Sequence, residues 1–304
     1  MNNQYLAPIC LFVYNRLELT KQTVESLKKN FLANESELFI FSDGAKSKNA
    51  TEKVEQVREY VKTIEGFKTI TILESEINKG LAKSIIDGVT EIINKYGKTI
   101  VIEDDLYLSP SFLAYMNQML DNYCSCQDVF QISGFGLKVR KPADYHYDVF
   151  FHNRPNSWGW ATWCDRWNSV DWEVKNWVRL KEDKRKQKAF NRGGTDLFKM
   201  LKGYMEGKNN SWYVRFAYAQ FAQHKYAIAP IKSFVLNRGF IKDSTHCDAY
   251  NRYKTDFQDS KFVQIQFPQQ LFIERRLINQ AFRYYSLSAR FIAKIRTFFT
   301  KIFR

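Results

Sequence analysis

The chain has 304 residues, of which 45% are hydrophobic and 16% aromatic, enough for one large core or two modest ones; disordered, collagen-like and small disulfide-framework proteins are excluded. Its 46 Lys and Arg against 32 Asp and Glu leave a net charge of +14, which calls for an anionic partner: nucleic acid, acidic lipid headgroups or a sugar-nucleotide diphosphate. The five cysteines are odd in number and form no CxxC pair, the N-terminus lacks the basic and apolar segments of a signal peptide, and no window approaches about 18 uncharged apolar residues. The expectation is a cytoplasmic protein, neither secreted nor membrane-spanning.

Four short apolar runs, Ile9 to Tyr14, Leu38 to Phe41, Thr69 to Leu73 and Thr99 to Ile102, have strand length and composition. Between them lie amphipathic stretches at 18–30, 51–64 and 81–96, with apolar residues three and four apart: Val24, Leu27 and Phe31, then Val54, Val57 and Val61, then Ile85, Val89 and Ile92. Strand and helix in alternation predict a doubly wound α/β domain, Rossmann-like, with a mostly parallel sheet. Ligands gather at the carboxyl ends of such strands. The residues there are Asn15 and Arg16, then Ser42, Asp43 and Gly44, then 74–80, then Glu103, Asp104 and Asp105.

Three acids directly after a buried strand repel one another near a low-dielectric core unless a cation or hydrogen-bond donors offset them. Mn²⁺ or Mg²⁺ held by one or two carboxylates with open positions for phosphate oxygens is one solution, and a solvated acidic turn before Ser109-Pro110 is the other.

Beyond residue 130 the pattern is less regular. Trp158, Trp160, Trp163, Trp167, Trp172 and Trp177 crowd one stretch, a charged run follows at 181–188, and a helix is predicted over 211–224. A strand over 228–235 leads to a loop holding Asp243 and His246. Trp faces stack on sugar rings and an intervening Gly permits close approach, which makes Trp158 and Trp160 candidates for sugar contact; the other four read as packing residues. A lone His is more often structural than a ligand, and His146, His152 and His224 carry no metal-binding spacing.

Residues 274–304 hold eight Lys or Arg against one Glu, a net +7 and half the excess of the whole chain. Apolar residues there step by three and four, which predicts one basic amphipathic helix. Its apolar side either meets an anionic membrane surface or packs on the protein or a partner chain. No helix-turn-helix, zinc-finger or RNP-like motif is present, so no nucleic-acid partner is expected. The organisation expected is an α/β half over 1–130, a second half of the same unit over 131–273, and the tail helix over 274–304.

Several segments resemble the nucleotide-sugar glycosyltransferases of the GT-A type. The run Ala7 to Arg16 is similar to their opening strand, Phe41-Ser-Asp43-Gly to their second, and Asn78-Lys-Gly-Leu-Ala-Lys83 to the Asn-x-Gly-Leu-x-x-Ala segment of family 2 enzymes. Glu103-Asp-Asp105-Leu followed by Pro110-Ser-Phe112 is closest to N-acetylglucosaminyltransferase I and its relatives. The resemblance implies a metal-dependent inverting transferase that moves a sugar from a nucleotide donor, UDP being the expected one, to a saccharide or lipid-linked saccharide acceptor. Asp105, with His246, would ligate the metal; Asp104 would meet the ribose, Asp43 the uracil or ribose, and Glu103 the donor sugar. Asn15, Arg16, Lys79 and Lys83 would serve the nucleotide and its diphosphate, with Trp158 and Trp160 beside it. The general base expected near Ser211 has no acid in 209–215, which leaves Asp165 and Glu206 as candidates. A sugar nucleotidyltransferase, or a non-catalytic carbohydrate- or membrane-binding protein on this scaffold, are the alternatives. A location at the inner face of the membrane would suit a lipid-linked acceptor.

Overall fold

The fold was analysed in a computed structural model, which describes residues 5–240, 250–261 and 264–302, with side chains to 299. The four expected strands are β1 (Ile9–Val13), β2 (Glu37–Ser42), β3 (Thr69–Glu74) and β4 (Lys98–Glu103), and the three helices between them are α1 (Leu17–Lys28), α2 (Lys48–Val61) and α3 (Leu81–Tyr96). Val24 and Leu27 are fully buried as the spacing predicts, whereas Phe31 falls past the end of α1 and is exposed. Gly97, left-handed at φ +79, ends α3 by donating its amide to Ile93 O at 2.8 Å and turns the chain straight into β4.

The chain continues through β5 (Leu106–Leu108), α4 (Phe112–Asn122), β6 (Val129–Ser133), β7 (Val149–His152), β8 (Trp160–Trp163), α5 (Cys164–Asn168), α6 (Trp177–Glu182), α7 (Lys184–Phe190), α8 (Leu197–Met205) and α9 (Trp212–Ala222). It then forms β9 (Tyr226–Pro230), β10 (Val235–Asn237), α10 (Arg275–Arg283) and α11 (Leu287–Ile302).

One eight-stranded sheet, ordered β3-β2-β1-β4-β8-β6-β9-β7, runs through both expected halves. The pairings of β1 with β2 and β4, and of β2 with β3, are parallel; β8 is antiparallel to both β4 and β6. The expected divide at residue 130 therefore falls inside β6, where the register against β9 shifts between Val129 and Gln131 while both stay paired with it. The predicted strand over 228–235 is two strands: β9 stays in the large sheet, and β10 leaves it to pair antiparallel with β5, bringing Asn237 opposite Leu106.

Trp160 on β8 stacks between Trp167 and Trp212, at 5.8 and 5.2 Å between ring centres, with Phe216 of α9 closing the cluster. The single tail helix of the sequence reading is two helices broken at Tyr284–Ser286. Leu277 and Ala281 of α10 and Tyr285 at the break are buried against the body, so the first half of the tail belongs to the core. Cys10, Cys124, Cys126 and Cys164 are free thiols.

Candidate active site

Parallel pairing aligns Phe12 with Glu103 and Val13 with Ser42, so the chain segments leaving β1, β2 and β4 emerge side by side. Arg16, the residue before α1, turns its guanidinium onto two of the three acids. One amino group pairs with Asp104 and the other donates to Asp105 Oδ2 at 3.0 Å. Asp104 is 3% exposed and also accepts from the Tyr14 amide at 3.4 Å. Burial pushes its carboxyl up to about 6 against the opposing pull of Arg16. Burial, with Asp105 and Asp104 adding to it, pushes Glu103 up to about 8. Burial lowers the tendency of Arg16 to stay protonated, but the two carboxylates outweigh it and raise its pKa.

The segment after β10 closes over the same point. The Arg238 amide donates to Asp105 O at 2.7 Å, and Gly239 lies so close that a methyl group there would overlap Asp105 Oδ2. The sequence marks this loop by Asp243 and His246 and gives no role to Arg238 or Gly239. The available signal was the Asn-Arg-Gly turn directly after an apolar run.

Asp43 stands one strand away with its carboxylate fully engaged. Oδ1 accepts from the amides of Gly44 (2.9 Å) and Lys79 (2.8 Å), and Oδ2 from Asn78 Nδ2 (3.0 Å) and the Gly80 amide (2.8 Å). It anchors the 78–80 loop, in which Gly80 takes φ +74 and starts α3. Asn15 follows β1 beside it and is half-buried. The ammonium groups of Lys79 and Lys83 point instead at Asp87 of α3, at 4.0 and 2.9 Å, and are not gathered with the acids.

Trp158 borders the site. Its ring meets Phe135, Tyr253 and Phe240 edge-on at 4.7, 5.2 and 5.7 Å, while Gly159, at φ +62, packs on Val235 of β10. Trp160 requires correction as a sugar contact: it is 0% exposed, and its faces are taken by Trp167 and Trp212.

Asp165 also requires correction. Pairing sets Trp163 opposite Lys98, so Asp165 lies past the start of β4, roughly 15–20 Å from the acids at the strand's far end at about 3.3 Å per residue. It is bonded to Arg166 at 2.7 Å, and although partial burial opposes it, that contact helps hold its pKa below the usual range. Glu206 pairs with Lys208 at 2.7 Å and Lys202 at 3.5 Å, and the Lys208 bond foremost lowers its pKa, which weakens it as a proton acceptor. His246 and Asp243 lie outside the described residues.

The donor set fits a hard divalent cation. Asp105 Oδ1 and the Glu103 carboxyl have no hydrogen bond among the described residues, while Asp105 Oδ2 is held in place by Arg16. Among the described residues no three metal-binding side chains form a cluster, and an ion such as Mg²⁺ or Mn²⁺ held by one or two carboxylates takes its remaining ligands from water and phosphate.

The profile described as Glycosyl transferase family 2 matches residues 9–167, the whole span from β1 to α5. The chain belongs to this family. Its fold is the GT-A type α/β arrangement. No characterised protein sequence matches it closely.

Solved structures similar to this chain include a mannosyltransferase of Pyrobaculum calidifontis in complex with GDP-Man and Mn²⁺, at 13% identity and TM-score 0.43, covering 79% of this chain and 59% of that one. TarS 1–349 of S. aureus is similar at 12% identity and TM-score 0.42, covering 76% and 60%. A UDP-glucose pyrophosphorylase complexed with UDP-glucose is similar at 16% and TM-score 0.38, covering 74% and 90%. The chain thus spans about 60% of the length of the first two.

Proposed function

We propose that this transferase moves a sugar from a nucleotide donor, UDP being the expected carrier, to a saccharide or lipid-linked saccharide acceptor, with inversion and with Mn²⁺ or Mg²⁺. The observation that carries the reading is Asp105, fixed by Arg16 through one oxygen while its other oxygen has no hydrogen bond among the described residues, at the point where β1, β4 and the segment after β10 meet. Asp105 would hold the metal, whose chemistry is to neutralise the diphosphate as it leaves. Glu103, at the end of β4 beside Asp105, would meet a hydroxyl of the donor sugar. Asp104 positions Arg16 from beneath. Asn15 and the loop anchored by Asp43 face the nucleotide, and Trp158 offers an aromatic edge to a sugar.

A nucleotidyltransferase would carry a glycine-rich phosphate loop after its first strand, and Tyr14-Asn-Arg16 has no glycine. Calorimetry with UDP- and GDP-sugars, with and without Mn²⁺, tests the proposal together with Asp105→Asn. Metal-dependent binding and slow donor hydrolysis, both lost in the variant while its melting temperature holds, are expected. Full turnover in Asp105→Asn would overturn the role of the acids. Binding without turnover over a range of acceptors would favour a non-catalytic carbohydrate-binding protein.

A further inference from the structure

Helix α11 turns its small residues inward and its large apolar residues outward. Ala293 is 6% exposed, and Thr297 Oγ1 accepts from the Tyr250 amide at 2.9 Å, so this face packs on the body. Opposite it, Leu287, Phe291, Ile295 and Phe298 recur at three and four residues and are 69%, 65%, 40% and 62% exposed. At about 100° per residue, Lys294 falls on the flank between the two faces. No helix among the described residues is long and apolar enough to cross a membrane.

Beside α11, the 250–254 segment and α10 border a cavity of about 360 Å³ lined by Lys138, Arg252, Lys254, Arg283 and Arg296, with no carboxylate in its wall among the described residues. Among the described residues, Lys138, Lys254 and Arg283 form no ion pair. A groove of about 760 Å³ shares Arg283 and Gln280 with the cavity and adds Arg140, Lys141 and Arg276; its carboxylate, Asp144, is already bonded to Arg276 at 2.8 and 3.0 Å.

We propose that this face docks on an anionic phospholipid bilayer, with Leu287, Phe291, Ile295 and Phe298 entering at headgroup depth and a lipid phosphate held in the cavity by Lys138, Lys254 and Arg283. Charge complementarity decides the occupant. A symmetric contact with a second copy would set cation against cation, whereas an acidic surface answers both the charge and the apolar stripe. Nucleic acid would leave the Phe side chains in water. Arg252 lines the cavity and its neighbour Tyr253 packs on Trp158 at 5.2 Å, so the docking face adjoins the transferase site without depending on its chemistry.

Co-sedimentation of the full chain with vesicles of phosphatidylcholine, alone or with about one-third phosphatidylglycerol, tests the proposal. Binding to the acidic vesicles is expected, weakening with salt. Phe291→Ser with Phe298→Ser should reduce it at least tenfold, and Lys254→Ala or Arg283→Ala about fivefold each. All four positions are exposed, so melting temperatures should hold. Equal binding to neutral vesicles, full binding by the Phe variant, or a dimer in sedimentation equilibrium that the Phe variant dissociates would each overturn it.

Discussion

Arg16 Nη1 stands 3.0 Å from Asp105 Oδ2, so one strand end supplies the counter-charge for the acids of its neighbour. The same guanidinium pairs with buried Asp104, and this cation allows three acids to follow a core strand. Arg16→Ala should destabilise the metal-free protein by about 1–3 kcal/mol, less than a fully buried pair because Arg16 keeps 22% of its side-chain surface in water. Mn²⁺ should then raise the melting temperature of the variant by more than that of the parent, since the freed carboxylates need a cation. Equal shifts on titration with Mn²⁺ in thermal melts would count against Arg16 as the charge that balances the acids.

Gly239 has no room for a side chain beside Asp105 Oδ2 and Asn237 Oδ1. Gly239→Ala should displace the segment after β10 and lower kcat/KM at least tenfold, and because the position is buried it should also cost about 1–3 kcal/mol of stability. Parental kcat/KM in the variant would show that this close approach is incidental to the chemistry.

Arg154 and Asp196 form a buried bidentate pair at 2.7 and 3.1 Å, and the Tyr285 ring lies 4.1 Å from the guanidinium. This joins the break between α10 and α11 to the body. Arg154→Met leaves Asp196 without its counter-charge and should cost about 3–5 kcal/mol in urea unfolding; replacing Asp196 by Leu as well should restore a substantial part. A double variant no more stable than Arg154→Met would show that the pair itself, and not the unpaired charge, carries the loss.

His152 is buried on β7 with Nδ1 2.9 Å from Arg154 O, and burial foremost depresses it from 6.5 to about 4. The unfolded chain therefore binds a proton that the folded one refuses between those values. The sign follows: this contribution is complete above about pH 6.5 and is lost as pH falls toward 4, amounting to about 3 kcal/mol. Urea unfolding of His152→Asn across that window should show a flatter pH dependence than the parent, and an unchanged slope would refute the assignment.

The alternation of strands and helices through residue 103 is legible in sequence because its periods are local: four apolar runs separated by three amphipathic stretches leave one economical fold. Glu103, Asp104 and Asp105 are legible for the same reason, since a charged cluster after a buried strand is visible without knowing its neighbours. Asp165, by contrast, was a candidate by residue type alone. The antiparallel course of β8 carries it to the wrong end of the sheet. Trp158 and Trp160 differ by one glycine in sequence, yet one borders the site and the other lies inside an aromatic stack.

By itself, then, the sequence determined the α/β class, the acidic strand end and the placing of half the net charge in the tail. Only the tertiary structure decided that Asp43 is consumed by the 78–80 loop, that Arg238 and Gly239 close on Asp105, and that α11 packs by its small residues and leaves its Phe stripe outside. The physical reason is range. Periodicity reports how a segment divides its own surface, but which face meets which partner depends on pairings such as β5 with β10, between residues more than a hundred positions apart.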